Sequence, residues 1–346
     1  MQGELTAAQV KERARALGFD LCGIAAAHPL QAARLDRWLQ NGWDAGLAYV
    51  RERRAERLDP SLLVPGARSV IVVASSYGPR PDDPEPGAHE LVVARYARGR
   101  DYHNVVLKPV RKLAAWLRER GASVYAEVDA GAVMEKAWAQ EAGLGWIGKN
   151  GCLIHERFGS WLLLGALITD LSLEPDAPHA DRCGDCALCI PACPTDAIRE
   201  PRYVDSARCI AYHTIEHREA IPAGVARRAG GRLFGCDACQ DACPWNRRAL
   251  PGTLVQLRAR TPSLAVAEVL SLTADEARRR FEGTPLMRAG RDGLVRTALA
   301  VGGVDAKDAA RFLDDGARGV REQAAQAVGG KVSTAPLAAP DSGESR

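Results

Sequence analysis

Apolar and polar positions along the chain fall into two periods, one helical and one extended. Thr6-Ala-Ala-Gln9 has the form of a capping box and predicts a helix that ends near Gly18. Residues 30–40 predict a second helix, closed by Asn41-Gly42. The run Ser69–Ser76 (SVIVVASS) is rich in β-branched residues and suits a buried strand. Residues 79–86 are rich in Pro and Asp and read as an exposed loop. Val110, Leu113, Ala114 and Leu117 form one apolar helical face, with Pro109 in the first turn of that helix or at a kink. Residues 122–128 and 161–169 predict two more strands. Strands alternating with helices predict an α/β domain over residues 1–175.

After Pro262 the pattern changes to Ala/Leu/Arg-rich helices, and residues 251–330 are expected to be helical. Residues 293–301 and 320–328 share an apolar spacing with an arginine near the start, in Leu294-Val295-Arg296 and Gly319-Val320-Arg321. That spacing predicts paired helices of a HEAT-like repeat. Residues 331–346 are rich in Ser, Pro, Ala and Gly and are expected to be a disordered tail.

Between these regions, at 176–250, neither period holds, and eight of the ten cysteines gather there. The first run is Cys183-x2-Cys186-x2-Cys189-x3-Cys193-Pro194, the spacing of bacterial ferredoxins. The second is Cys236-x2-Cys239-x3-Cys243-Pro244, with Cys209 alone between them. Aligned on Cys-Pro, Leu233 stands where the second run would repeat Cys183, and Cys209 fills that place. Each [4Fe–4S] cube takes four thiolates, and the last cysteine of a run crosses to the other cube. The spacing therefore assigns Cys183, Cys186, Cys189 and Cys243 to one cluster. Cys193, Cys209, Cys236 and Cys239 take the second. Two four-cysteine zinc sites are the alternative, although zinc sites use separated pairs. Cys22 and Cys152 remain as small, buried apolar residues.

Composition adds little to this picture. Lys plus Arg number 46 against 43 Asp plus Glu, a net charge of +3. The arginines cluster, however, at Arg51, Arg53, Arg54 and Arg57, at Arg227, Arg228 and Arg232, and at Arg247-Arg248. A basic face near the cysteines would suit a polyanion. The first residues carry no basic stretch followed by an apolar run, and the longest apolar stretch, 161–168, is far below a membrane span. A cytoplasmic protein with no membrane association is expected.

Four further segments carry a family resemblance. They are Arg95-Tyr-Ala-Arg-Gly-Arg-Asp-Tyr-His103, Val128-Asp-Ala-Gly-Ala-Val-Met-Glu-Lys136, Ala142-Gly-Leu-Gly-Trp-Ile-Gly-Lys-Asn150 and Gly159-Ser-Trp161. With Gly235-Cys-Asp-Ala-Cys-Gln-Asp-Ala-Cys-Pro-Trp245 and the cluster spacing, the chain resembles the epoxyqueuosine reductases from about residue 5 to 330. These are cobalamin-dependent iron–sulfur enzymes related to reductive dehalogenases. They complete queuosine synthesis on the wobble nucleoside of tRNA.

The resemblance implies a reductive-dehalogenase-like cobalamin domain at 1–175, a ferredoxin-like module at 176–250 and helical repeats at 251–330. It implies that the clusters feed Co(I) cobalamin, which attacks the epoxide-bearing ring, and that Asp129 donates the proton. Donation at neutral pH would need a raised pKa at Asp129, which burial beside the corrin would provide. A lone Asp after a strand can also cap the next helix. Arg57, Asp129, Lys149, Asn150, Ser160 and His213 are the expected cobalamin contacts. The glycines of 143–148 follow a helix, which argues against a dinucleotide fingerprint and suggests close backbone approach to the corrin. No Asp-x-His-x-x-Gly run is present to supply cobalt with a histidine. His103 is open between a base, a ligand and a packed histidine. His213 and Thr297 depart from the residues usual in the family. The implied partners are the anticodon stem-loop of tRNA and an external electron donor, acting on a monomer. The rival readings are a small-molecule corrinoid reductase of the dehalogenase type, a corrinoid-handling protein and a ferredoxin-type electron carrier.

Overall fold

The computed structural model describes residues 5–329, so the expected tail at 331–346 lies outside the described residues. Its centre is a four-stranded sheet of β1 (Leu21–Ala26), β2 (Ser69–Ser76), β3 (Val124–Glu127) and β4 (Leu162–Thr169), in the order β1-β2-β4-β3. Every neighbouring pair is antiparallel. The alternation of strand and helix therefore does not build parallel crossovers. β2 is buried along its whole length because both its faces are covered. Ile71 and Val73 face the helices Ala7–Ala16 and Tyr102–Arg118. Val70, Val72 and Ala74 face the helix Glu135–Glu141, with Trp138 as the largest buried side chain there.

The capping box forms as the sequence expects, with Thr6 and Gln9 bonding each other's backbone. The second helix begins later than expected, at Ala33–Gln40. The helix Tyr102–Arg118 begins well before its apolar face and is capped by Asp101, so Pro109 lies in its interior. There it withholds an amide from the carbonyl of Val105. β1 escaped the sequence reading because Cys22, Gly23 and Ala25 dilute its pattern. It has no long β-branched run, and its pairing with β2 holds it.

The cysteine-bearing segment is mostly turns, with a hairpin of Ile198–Glu200 and Tyr203–Val204 and a helix Ile210–Ile215. A second sheet joins the regions. Its middle strand Leu91–Val93 pairs with Arg232–Phe234 and Ser263–Leu264, one strand from each of the three expected segments. The same core takes in the helices Gly290–Val301 and Arg318–Val328. Arg296, only 1% exposed, donates to the carbonyls of His213, His217 and Glu219 and ties the helical region to the cysteine segment. Thr297 is wholly buried and bonds Gly293 within its own helix, so it offers nothing to a docking surface. No described helix is long and apolar enough to cross a membrane.

Candidate active site

The eight cysteines fall into two sets, read from which thiols act on one another. Cys189 is pushed up to about 11 by burial, then by Cys183, Cys243 and Cys186. Cys243 is raised by burial and then by Cys183 and Cys186. Cys209 is pushed up to about 11 by burial, with Cys236 and Cys193 adding to it. Cys239 is raised well above the ordinary thiol by burial, and by Cys152, Cys209, Cys236 and Cys193. Like charges close together oppose ionisation, so these influences mark neighbours. One set is Cys183, Cys186, Cys189 and Cys243; the other is Cys193, Cys209, Cys236 and Cys239.

Among the described residues no three His, Cys, Asp or Glu are gathered tightly enough to hold a single metal ion. Each thiolate of a cube binds a different iron, so its four sulfurs stand farther apart than four sulfurs on one ion. The first set lies against Trp146, Ile154 and Trp245. Its Cys186 is exposed.

Asp129 stands two residues beyond the end of β3, on a loop that runs to the helix Glu135–Glu141. Its backbone is left-handed, with φ 60°. The carboxylate is 60% exposed and accepts from Tyr102 Oη at 2.5 Å; His103 Nε2 lies 3.3 Å from it. His103 Nδ1 faces Asp101 at 3.0 Å. The surrounding protein pushes the Asp129 pKa up, but the hydrogen bonds from His103 and Tyr102 outweigh that and leave it below the ordinary carboxylate. The chain's own groups therefore hold Asp129 low, and the rise that the sequence expects is one that burial beside the corrin would supply. The shift falls instead on His103, pushed up to about 9 by Asp101 first and Asp129 second. At neutral pH the proton of this trio sits on the imidazole. His103 is thus engaged by two carboxylates. The signal was its place beside Asp101, the cap of its helix.

Other expected contacts are placed as follows. Arg57 carries its guanidinium 5.8 Å over the ring of Tyr49, and its Nε is buried without a partner. Tyr49 is 49% exposed, and its phenol feels both Arg57 and Asp129. The chain thus leaves an orphaned donor and an exposed ring near an exposed carboxylate. That donor set fits a large ligand with a polar rim. Lys149 donates to the carbonyl of Gly184 at 2.7 Å, in the first cysteine run. Buried Asn150 reaches the carbonyl of Cys239 at 3.5 Å, and Ser160 bonds Gln240 and Asn246. His213 is 3% exposed and directs Nε2 to the carbonyl of Ala207 at 2.8 Å; burial lowers its pKa to about 4 and keeps it neutral. Lys149, Asn150 and Ser160 therefore meet the cysteine loops.

The glycines of 143–148 serve their own fold. A Cβ on Gly145 would lie 2.1 Å from the carbonyl of Ile154, and one on Gly143 would lie 2.7 Å from that of Ala177. Neighbouring backbone leaves no room for a side chain at Gly143 and Gly145, and the Ile154 side chain does the same at Gly148. Of the basic runs, Arg51, Arg53 and Arg54 pair with Asp44, Glu56 and Asp36. Arg247 and Arg248 are exposed.

Comparison with known proteins gives a consistent result. Residues 182–246 match the family model described as 4Fe-4S double cluster binding domain, and residues 57–130 match that described as Epoxyqueuosine reductase QueG, DUF1730. The epoxyqueuosine reductase of Gloeobacter violaceus is 44% identical over 305 residues, covering 85% of this chain and 94% of that protein. An epoxyqueuosine reductase crystallised with an epoxyqueuosine-modified tRNA-Tyr stem loop matches with TM-score 0.84 and 26% identity, over 93% of this chain and 89% of that one. The Bacillus subtilis enzyme, seen with its catalytic Asp loop swung out of the active site, matches with TM-score 0.80 and 27% identity, over 93% and 89%.

Proposed function

The chain belongs to the epoxyqueuosine reductase family, and from that premise we propose that it reduces epoxyqueuosine to queuosine at the wobble position of tRNA, the last step of queuosine biosynthesis. The observation that carries the reading is two cysteine foursomes in a chain that also presents one exposed carboxylate coupled to a charged histidine. Cys183, Cys186, Cys189 and Cys243 hold one [4Fe–4S] cluster. Cys193, Cys209, Cys236 and Cys239 hold the other.

Cobalamin fits beside Asp129, with Arg57 offering its free Nε to the rim. When bound, it supplies the strongly reducing cobalt nucleophile that opens the epoxide ring. Removing the epoxide oxygen as water takes two electrons and two protons. The residues divide that task. Cys186 is exposed, so the first foursome faces the external electron donor. The second foursome lies inward: Cys239 neighbours Cys152, and Lys136 acts on both Cys152 and Asp129. Asp129 passes a proton to the leaving oxygen, and His103, which holds that proton at neutral pH, refills it through Oδ2. The loop bearing Asp129 moves during turnover; in the Bacillus subtilis relative the catalytic Asp loop is seen swung out of the active site.

The anticodon stem-loop docks across exposed arginines such as Arg247 and Arg248, with the wobble base splayed into the site. The helices Gly290–Val301 and Arg318–Val328 pack together as a HEAT-like pair that frames this face. The organisation is a catalytic region at 1–175, a cluster module at 176–250 and a helical region at 251–330, in a cytoplasmic monomer.

The test is expression in a host lacking its own epoxyqueuosine reductase, followed by mass spectrometry of tRNA nucleosides. Queuosine should return. With Asp129→Asn, epoxyqueuosine should accumulate, and purified enzyme should lose about 10²- to 10⁴-fold in turnover while keeping its iron. Epoxyqueuosine accumulating with the cluster-loaded wild type would overturn the reading.

A further inference from the structure

The loop at 128–134 has little regular structure, yet two carboxylates bond its backbone from either side. Glu127, at the end of β3 and 7% exposed, accepts from Val133 N at 2.7 Å and Ala132 N at 3.0 Å, and Tyr125 Oη holds it at 2.5 Å. Glu135, at the start of the next helix, accepts from Asp129 N at 2.7 Å. Asp129 itself is left-handed, a conformation that a residue with a Cβ adopts at a cost. A Cβ on Gly131 would come within 1.3 Å of Glu127 Oε2, so glycine is what lets the carboxylate lie across the loop.

We infer that Glu127 and Glu135 are positioning residues that clamp this loop closed, Glu127 as its fixed anchor and Glu135 as the latch on the Asp129 amide. The inference rests on the reading of Asp129 as proton donor. Glu127 bonds only the far half of the loop and keeps that half in place. The near half is tied through the backbone by Glu135. Breaking that bond together with the side-chain contacts to Tyr102 and His103 frees a residue that its own dihedral already disfavours, and the loop can then swing. Remaking it returns the carboxylate to Tyr102 and His103. Burial, and then the charge of Asp129, push the Glu135 pKa up to about 7, and its oxygen can accept the amide hydrogen in either protonation state. Neither glutamate needs to touch substrate.

The test compares Glu135→Ala, which deletes the acceptor, with Glu135→Gln, which keeps an oxygen in its place. Steady-state turnover on an epoxyqueuosine-containing stem-loop RNA is read beside hydrogen–deuterium exchange of the 128–134 peptide. Glu135→Ala should lower kcat by about a hundredfold with little change in KM, the scale of an ångström-sized misplacement. Its loop should exchange faster, and Glu135→Gln should restore both. Gly131→Ala, which displaces Glu127, should also quicken exchange and lower kcat. Wild-type exchange and kcat in Glu135→Ala and in Gly131→Ala would overturn the clamp. Loop exchange does not depend on what Asp129 does, so a clamp that opens as described, in an enzyme that turns over normally as Asp129→Asn, would sink the proton-donor reading alone.

Discussion

The two cysteine foursomes differ most at one ligand, although the first set also holds the buried Cys243. Cys186 is exposed, and Leu188 beside it is 49% exposed, on a stretch of turns that projects from the fold. Burial is the largest influence on thiols of both sets, on Cys189 and Cys243 as on Cys209 and Cys239, but only Cys239 also feels Cys152, which Lys136 links to Asp129. The contrast gives the electrons a direction. On the function proposed above, an external donor would reach the first, outer set through the exposed Cys186. The surroundings also differ chemically. The outer set leans on Trp146 and Trp245, whereas the inner set is framed by polar ties from Asn150 to Cys239 and from Ala197 N to Cys193 Sγ at 3.2 Å. Solvent exposure and hydrogen bonds to sulfur are what separate cluster potentials, so the two centres should not be equivalent.

The sharpest way to break the comparison is to remove one ligand from each set. Cys239→Ala should lose half the iron and all turnover. Cys186→Ala should also lose half the iron, and lose turnover with a protein donor. Its inner centre should still be reduced by a small low-potential dye, seen by electron paramagnetic resonance. If either variant lost both centres equally, the two sets would form one unit and the direction would vanish.

That contrast was only partly legible beforehand. The spacing from Cys183 to Cys193 is local, because chelation by a run of turns needs few long-range contacts. Exposure is a tertiary property, so nothing in the run itself marked Cys186 as outer. β2 was legible because eight residues of one character can only be buried. The antiparallel order of the sheet was not, because pairing is decided between segments nearly a hundred residues apart. At Asp129 the sequence named the carboxylate through its resemblance but not the partners within the chain that lower its pKa. Burial was foreseeable after a strand, whereas the bonds from Tyr102 and His103 come from a helix 26 and 27 residues upstream. The tight approach of Gly143 and Gly145 to the carbonyls of Ala177 and Ile154 was not legible, because those partners lie outside the local motif.

A smaller effect tests the inner side alone. His103 is pushed up to about 9, so the folded chain binds that proton more tightly than the unfolded chain does. Its stabilising contribution is complete below the ordinary histidine value and is lost as pH rises through about 9. The proton supply to Asp129 follows the same direction. Turnover should therefore decline above about pH 9, by roughly tenfold per unit. His103→Gln should remove that limb and cost on the order of tenfold to a hundredfold at neutral pH. The inner centre's spectrum should not change. A limb that persisted unchanged in His103→Gln would assign it to another group.

The smallest effect concerns what holds the inner set in place. Cys209 caps the helix Ile210–Ile215, and the carbonyls of His213, His217 and Glu219 just beyond it all accept from Arg296. Burial lowers the Arg296 pKa to about 10, which still leaves it charged at neutral pH. Arg296→Met keeps much of the volume and removes a buried charge, a gain, but it strands three carbonyls. The balance is a loss of about 2–4 kcal/mol and a fall of a few degrees in Tm. Because the stranded carbonyls belong to the segment that follows Cys209, the loosening should reach the inner foursome first. A chelator should then strip iron faster from the inner centre of Arg296→Met, while the outer centre, whose ligands Cys183, Cys186 and Cys189 hang on a separate loop, keeps its wild-type rate. Faster loss from the outer centre instead would mean that exposure alone governs cluster lability, and that Arg296 braces only the helices.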